Sequence, residues 1–294
     1  MSEQVVVIGP GRMGLALGAA LREVRAIDRL TFVGRGLEPP PHPLFEPSAD
    51  PEEAPVEYRL GPGPLPAGTT VLILAVPDAA LSEVAHDLAA AGQAPPCCAA
   101  LHLSGAVSTD VLAPLHGVGY AVGSMHPLQS VADPWQSGDR LIGATFSLAG
   151  EPAALNAARR LVSELAGETI VVPYTLRVPY HAGAVFASNY LVALLAAAVR
   201  LLGEAGVDEP AALRALVPLA RGTLDNIAHI GIRGALTGPI ARGDVDTVRL
   251  HLVRLSAEDR SLYSALGLEA LRLARAAGLD ARRAEELEQL LTEG

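Results

Sequence analysis

Residues 4–21 read QVVVIGPGRMGLALGAAL. Val5–Ile8 is a short unbroken apolar run, the pattern of a strand buried on both faces of a parallel sheet. Gly9, Gly11 and Gly14 follow at once, with Pro10, Arg12 and Met13 between them, and a Leu/Ala segment of helical composition comes next. Strand, glycine turn and helix are the context in which G-x-G-x-x-G carries meaning. Gly9 allows the tight turn, Gly11 lets backbone approach a pyrophosphate, and Gly14 lets the helix close on the strand. The helix start then offers free N–H groups and a positive dipole end to phosphates. The stretch therefore predicts a dinucleotide site on Gly9, Gly11, Arg12, Met13 and Gly14; the plain alternative is a glycine-rich turn without a ligand.

The second strand, Leu30–Val33, decides the cofactor type. A site for NAD places Asp or Glu about 20 residues past the motif, on the ribose 2′-hydroxyl. Here Gly34 and Arg35 stand instead. A guanidinium grips a 2′-phosphate, often with two hydrogen bonds, so Arg35, with Arg12, points to NADP(H). Residues 38–66 are too rich in proline for a regular helix, and a long loop with one strand near Val56–Leu60 is expected. TTVLILAVPDAAL, residues 69–81, is a further buried strand. Ligands lie beyond the carboxyl ends of such strands, which brings Val76, Pro77 and Asp78 to the cofactor; Asp78 serves equally as a helix cap. AALHLSGAVS, residues 99–108, and VGSMHPLQS, residues 122–130, bring His102, Ser104, His126, Gln129 and Ser130 to the same level, and His126 is the site candidate among them. GATFSLAG, a helix from Pro152 to Ala166 and ETIVVP complete the alternation.

From Pro173 onward the pattern is helical. YHAGAVFASNY, residues 180–190, leads into LVALLAAAV, and residues 182–199 carry no charge over 18 positions. That length approaches a membrane span, but Ser188 and Asn189 interrupt it, so the expectation is the central helix of a bundle. On one continuous helix His181 and Ser188 fall nearly on a line, roughly 10 Å apart, with Asn189 on its shoulder. Buried polar groups need partners, and a cleft ligand or a neighbouring helix would both supply them. In LTGPIARGD, Asp244 reads as an N-cap, while Thr237 and Arg242 are free to meet a substrate carboxylate.

Composition narrows the choices. Half of the 294 residues are hydrophobic and the net charge is −10. Nucleic-acid or anionic-membrane binding needs a basic face that the chain lacks. All 22 basic residues are arginine, so lysine Schiff bases and lysine acids are excluded. The two cysteines, Cys97 and Cys98, are adjacent and form no metal spacing. With no charged-then-apolar leader, a cytoplasmic protein without a metal is expected.

On VIGPGRMG, AVPD, HLSGA, SMHPLQS, YHAGAVFASNY and LTGPIARGD, the chain resembles a largely uncharacterised oxidoreductase family. That family joins a Rossmann-like NADP-binding domain to a helical domain of unknown function. Its layout is similar to pyrroline-5-carboxylate reductase, ketopantoate reductase and the β-hydroxyacid dehydrogenases. The resemblance implies an α/β Rossmann fold, a mostly parallel doubly wound sheet over residues 1–172. It implies an all-α domain of the 6-phosphogluconate-dehydrogenase C-terminal type over 173–294. It also implies a homodimer and substrate-facing positions at His181, Ser188 and Asn189, with Ser104 holding a substrate carboxylate. The lysine of those relatives is absent here. The expected function is hydride transfer between NADP(H) and a small carbonyl or imine compound bearing a carboxylate. His181 is the expected acid; Ser188 and Asn189 polarise the acceptor; Ser104, His126, Arg242 and Thr237 anchor the substrate. A non-catalytic NADP sensor is the alternative.

Overall fold

A computed structural model describes residues 3–61, 63–135 and 138–293. The chain divides into two compact units, Met1–Ser188 and Asn189–Gly294. The expected boundary lay after residue 172; the helix that follows it is joined to the first unit by its contacts.

The first unit is built on an eight-stranded sheet of order β3-β2-β1-β4-β5-β6-β7-β8. Its strands are β1 (Gln4–Ile8), β2 (Arg29–Gly34), β3 (Val56–Leu60), β4 (Val71–Leu74), β5 (Ala99–His102), β6 (Ala121–Pro127), β7 (Thr145–Gly150) and β8 (Glu168–Val171). β1 to β6 run parallel, β7 runs antiparallel to β6, and β8 follows β7. Alternate side chains sort to opposite faces. Val5, Val7, Phe32, Ile73, Leu101, Met125 and Phe146 pack under α1 (Arg12–Glu23) and α4 (Pro152–Glu164). Val6, Ile8, Leu72, Leu74 and Ala100 pack under α2 (Leu81–Ala91) and α3 (Ala113–Gly117). The strands read as continuous apolar runs because both faces are covered.

Between β2 and β3 the prolines leave no α-helix. One turn of 3₁₀ helix, Pro43–Phe45, stands in its place. Phe45 closes the face edge-on against Phe32 and Tyr58, with ring centroids 5.4 and 5.9 Å away. Cys98, ahead of β5, is buried and Cys97 is exposed; both are free thiols. The first unit ends in α5 (Arg177–Ala187).

The second unit holds α6 (Asn189–Glu204), α7 (Glu209–Ala235), α8 (Gly238–Arg242), α9 (Val245–Arg254), α10 (Ala257–Ala276) and α11 (Ala281–Glu293). Its core is Ile240, Val248, Leu252, Leu271, Ala284, Leu287 and Leu291. Asp244 caps α9, accepting from the Thr247 N–H at 3.2 Å, as its position predicts. Gly238-Pro239 opens α8. Arg200 and Asp259 form an ion pair, and Ser256 also donates to Asp259.

The segment expected to be one buried central helix is corrected on two points. It breaks at Ser188, whose φ of −120° and ψ of −75° lie outside the helix. No residue of α6 is buried. The span Tyr174–Glu204 holds an 18-residue window of mean hydropathy 1.9, long and apolar enough to cross a membrane by composition. Its two helices have 11 and 16 residues, each shorter than the roughly 20 that a spanning helix needs.

Phe146 is fully buried in the sheet core. Phe146→Ala should cost about 3–5 kcal/mol of folding free energy in urea unfolding; a loss near zero would contradict this core.

Candidate functional site

The glycine turn has the geometry its spacing predicts. Gly9 adopts φ +98° and donates its N–H to the Val33 carbonyl at 2.9 Å. A Cβ there would stand 2.7 Å from the Ala75 oxygen, and one at Gly14 would stand 2.3 Å from the Gly9 oxygen. A Cβ on Gly11 would meet nothing within 4 Å, so the turn is open on that side. Gly11 caps α1 without a side-chain hydrogen bond, and the first turn of α1 carries no acid. Its N–H groups and dipole remain available to an anion.

Gly34 closes β2 under the Tyr58 hydroxyl, which donates to the Gly36 carbonyl at 2.8 Å. Arg35 emerges exposed just beyond, and Arg12 is exposed at the start of α1. Neither has an ion-pair or hydrogen-bond partner among the described residues. Val76 and Pro77 follow β4, and exposed Asp78 begins a 3₁₀ turn. No side chain caps that turn or α2, so Asp78 does not act as a cap.

A second cluster stands at the carboxyl ends of β5 and β6. His102 ends β5 fully buried, and its Nδ1 accepts from the Ser104 N–H at 3.2 Å. Ser104 Oγ accepts from the N–H groups of Ala106 and Val107 at 3.2 and 3.0 Å, which folds the HLSGA turn. Arg177, the first residue of α5, is only 1% exposed. It donates through Nη1 to Ser124 Oγ and through Nη2 to the Ser104 carbonyl, each at 2.7 Å. Its Nε is buried without a partner in the described structure. Arg177, Tyr180 and His181 are spaced i, i+3, i+4, which puts them on one face of α5. The Tyr180 hydroxyl lies 2.8 Å from His126 Nδ1. The His126 and His181 rings meet edge to face with centroids 5.9 Å apart.

Electrostatics follow from this packing. Burial first, then Arg177 and His126, push His102 down to about 3. Burial first, then His181 and Arg177, push His126 down to about 4. Both rings are neutral at pH 7. Burial lowers Arg177, and Tyr180 and Asp78 act in the opposite direction. Burial raises Tyr180, so its phenol stays protonated.

The structure thus brings together three expected residues, Ser104, His126 and His181. Ser188 turns its hydroxyl onto the Ala184 carbonyl at 2.7 Å. Asn189 opens the second unit. Thr237 caps α8 without a side-chain bond and lines a pocket of about 290 Å³ with Ile240, Tyr263 and Gly267. Arg242 ends α8, and its carbonyl accepts from Arg283. Sequence reasoning missed Arg177 and Tyr180; their helical spacing from His181 was the available signal.

Residues 54–127 match a Rossmann-like domain, and residues 144–270 match a domain of unknown function, DUF2520. The chain pairs these two domains in that order. Among solved structures, a protein from Thermotoga maritima is 20% identical with a TM-score of 0.62, over 97% of this chain and 98% of that one. A Bacteroides fragilis protein, described as a candidate NADP oxidoreductase, is 19% identical with a TM-score of 0.63, over 94% and 97%. Pyrroline carboxylate reductase of Plasmodium falciparum with NADP bound is 10% identical with a TM-score of 0.56, over 98% of both. At these identities the likeness is one of fold. No curated protein matches the sequence.

The depressed histidines fix a pH dependence. The unfolded chain takes up protons near pH 6.5 that folded His102 and His126 refuse until about 3 and 4. Their contribution to stability is complete above pH 6.5 and is lost as pH falls, toward 4 for His126 and toward 3 for His102. Between those values His126→Asn should reduce the slope of unfolding free energy against pH by about one proton. An unchanged slope in urea titrations would contradict the neutral assignment.

Proposed function

We propose that the protein is an NADP(H)-dependent oxidoreductase acting on a small carbonyl or imine compound that carries a carboxylate. One observation carries this reading. The open glycine turn after β1 and the histidine cluster after β5 and β6 lie at the same edge of a parallel sheet, where such sheets bind ligands.

The residues present fit the cofactor. The Gly9–Gly14 turn and the start of α1 would hold the pyrophosphate, and unpaired Arg35 and Arg12 would hold a 2′-phosphate. The bound dihydronicotinamide supplies hydride. His181 delivers the proton, and neutral His126, held by Tyr180, orients the acceptor. Arg177 fixes α5 on the HLSGA turn, so the imidazoles meet the substrate in a set arrangement.

The reading includes a homodimer through the second unit. α6 and α7 pack together, yet Val192, Leu219, Ile230 and Ile232 are 69%, 67%, 62% and 61% exposed. Apolar surface of this extent marks an interface. Sedimentation equilibrium should give twice the chain mass, and Val192→Asp with Ile230→Asp should give the monomer. A wild-type monomer would contradict the assembly.

Isothermal titration should show tighter binding of NADPH than NADH, and Arg35→Ala should remove the difference. Equal affinities in the wild type would overturn the assignment of Arg35. Tight NADPH binding with no turnover of any carbonyl or imine acid would favour the sensor.

A further inference from the structure

We propose that one substrate oxygen sits between His126 Nε2 and His181 Nδ1 at the Gly105 turn, and that this position is built for a ketone oxygen and not for an imine nitrogen. The proposal rests on the reductase reading above and narrows its substrate.

Gly105 is where the two rings converge. A Cβ on it would lie 2.6 Å from His181 Nδ1 and 2.8 Å from His126 Nε2. The two nitrogens are therefore no more than 5.4 Å apart, a gap that one oxygen at ordinary hydrogen-bond lengths can bridge from the side away from the Gly105 backbone. His181 Nδ1 is buried and has no partner in the described structure, a condition that native proteins seldom leave unmet. His126 turns its other nitrogen to Tyr180. When the phenol donates to Nδ1, the neutral ring keeps its hydrogen on Nε2, the side of Gly105.

The local field selects the chemistry. Arg177 is buried beside the cluster and forms no ion pair with any described residue. Asp78, the carboxylate that acts on it through space, is exposed. The cluster holds three imidazoles and a phenol, and its one fixed charge is positive. A ketone gains negative charge on oxygen as hydride arrives, which a positive, dry site stabilises. An imine accepts hydride readily only after protonation, and so enters as a cation that the same field repels. In the ketone step, hydride from the dihydronicotinamide bonds to the carbonyl carbon. The C=O π pair moves to oxygen, and the His181 imidazolium gives the proton that completes the alcohol and is left as neutral imidazole, while the nicotinamide is oxidised.

Two measurements decide it. Nitrogen-15 spectra of the histidine rings, recorded without turnover, should show His126 as the Nε2–H tautomer. Oxamate, an unreactive 2-keto-acid mimic, should perturb His126 Nε2 and His181 Nδ1, and proline, an ammonium mimic of a cyclic iminium, should not. Gly105→Ala should abolish the oxamate response. Tyr180→Phe, which keeps the ring packing, should shift His126 toward the other tautomer. A response to proline alone, or to neither probe, overturns the proposal. With NADPH, 2-keto acids should be reduced faster than pyrroline-5-carboxylate, and Gly105→Ala should lower that rate by about 100-fold. Preference for the imine overturns the proposal and leaves the reductase reading intact. Absence of turnover with the oxamate response intact overturns only the reductase reading.

Discussion

The buried guanidinium of Arg177 is the constraint on which the candidate site depends. Removing a fixed charge from water is expensive unless hydrogen bonds replace the lost solvent. Here Ser124 on β6 and the Ser104 carbonyl of the HLSGA turn replace part of it. The same two bonds hold α5 to the ends of two strands. Tyr180 and His181, one turn along α5, are thereby delivered to His126. The charge also helps to keep His102 and His126 unprotonated. One side chain therefore sets both the position and the protonation of the cluster.

Much of the fold was legible because its signals are local. A continuous apolar run before G-x-G-x-x-G specifies strand, turn and helix within 20 residues. The glycines at positions 9 and 14 meet neighbours that leave no room for a Cβ. The prolines between residues 38 and 66 ruled out a helix, and one 3₁₀ turn is what stands there. The long apolar segment was read correctly as helix and wrongly as buried. Hydrophobicity states that a surface should be covered, not whether the cover lies within the same chain. The break at Ser188 was likewise hidden, since nothing in FASNY excludes helical backbone.

The candidate site was legible in part. His126, Ser104 and His181 are polar residues at strand ends or in an apolar helix, and that anomaly marks them. Arg177 carried no such mark, because an arginine at a helix start usually lies in solvent. Its burial follows from tertiary packing against β6, which spacing alone does not encode. Tyr180 was overlooked for a related reason: an aromatic residue in an apolar helix reads as core, and its hydrogen bond to His126 spans 54 positions. The fold itself hosts many reactions, so the chemistry rests on these side chains and not on the sheet.

The most direct measurement is a crystal structure of the protein with NADPH and oxamate together. The expected result places the oxamate ketone-like carbon about 3–3.5 Å from the nicotinamide C4, with its oxygen held by His126 Nε2 and His181 Nδ1 over Gly105. A nicotinamide ring seated away from this turn, with both imidazoles sealed among protein atoms, would contradict the assigned chemistry.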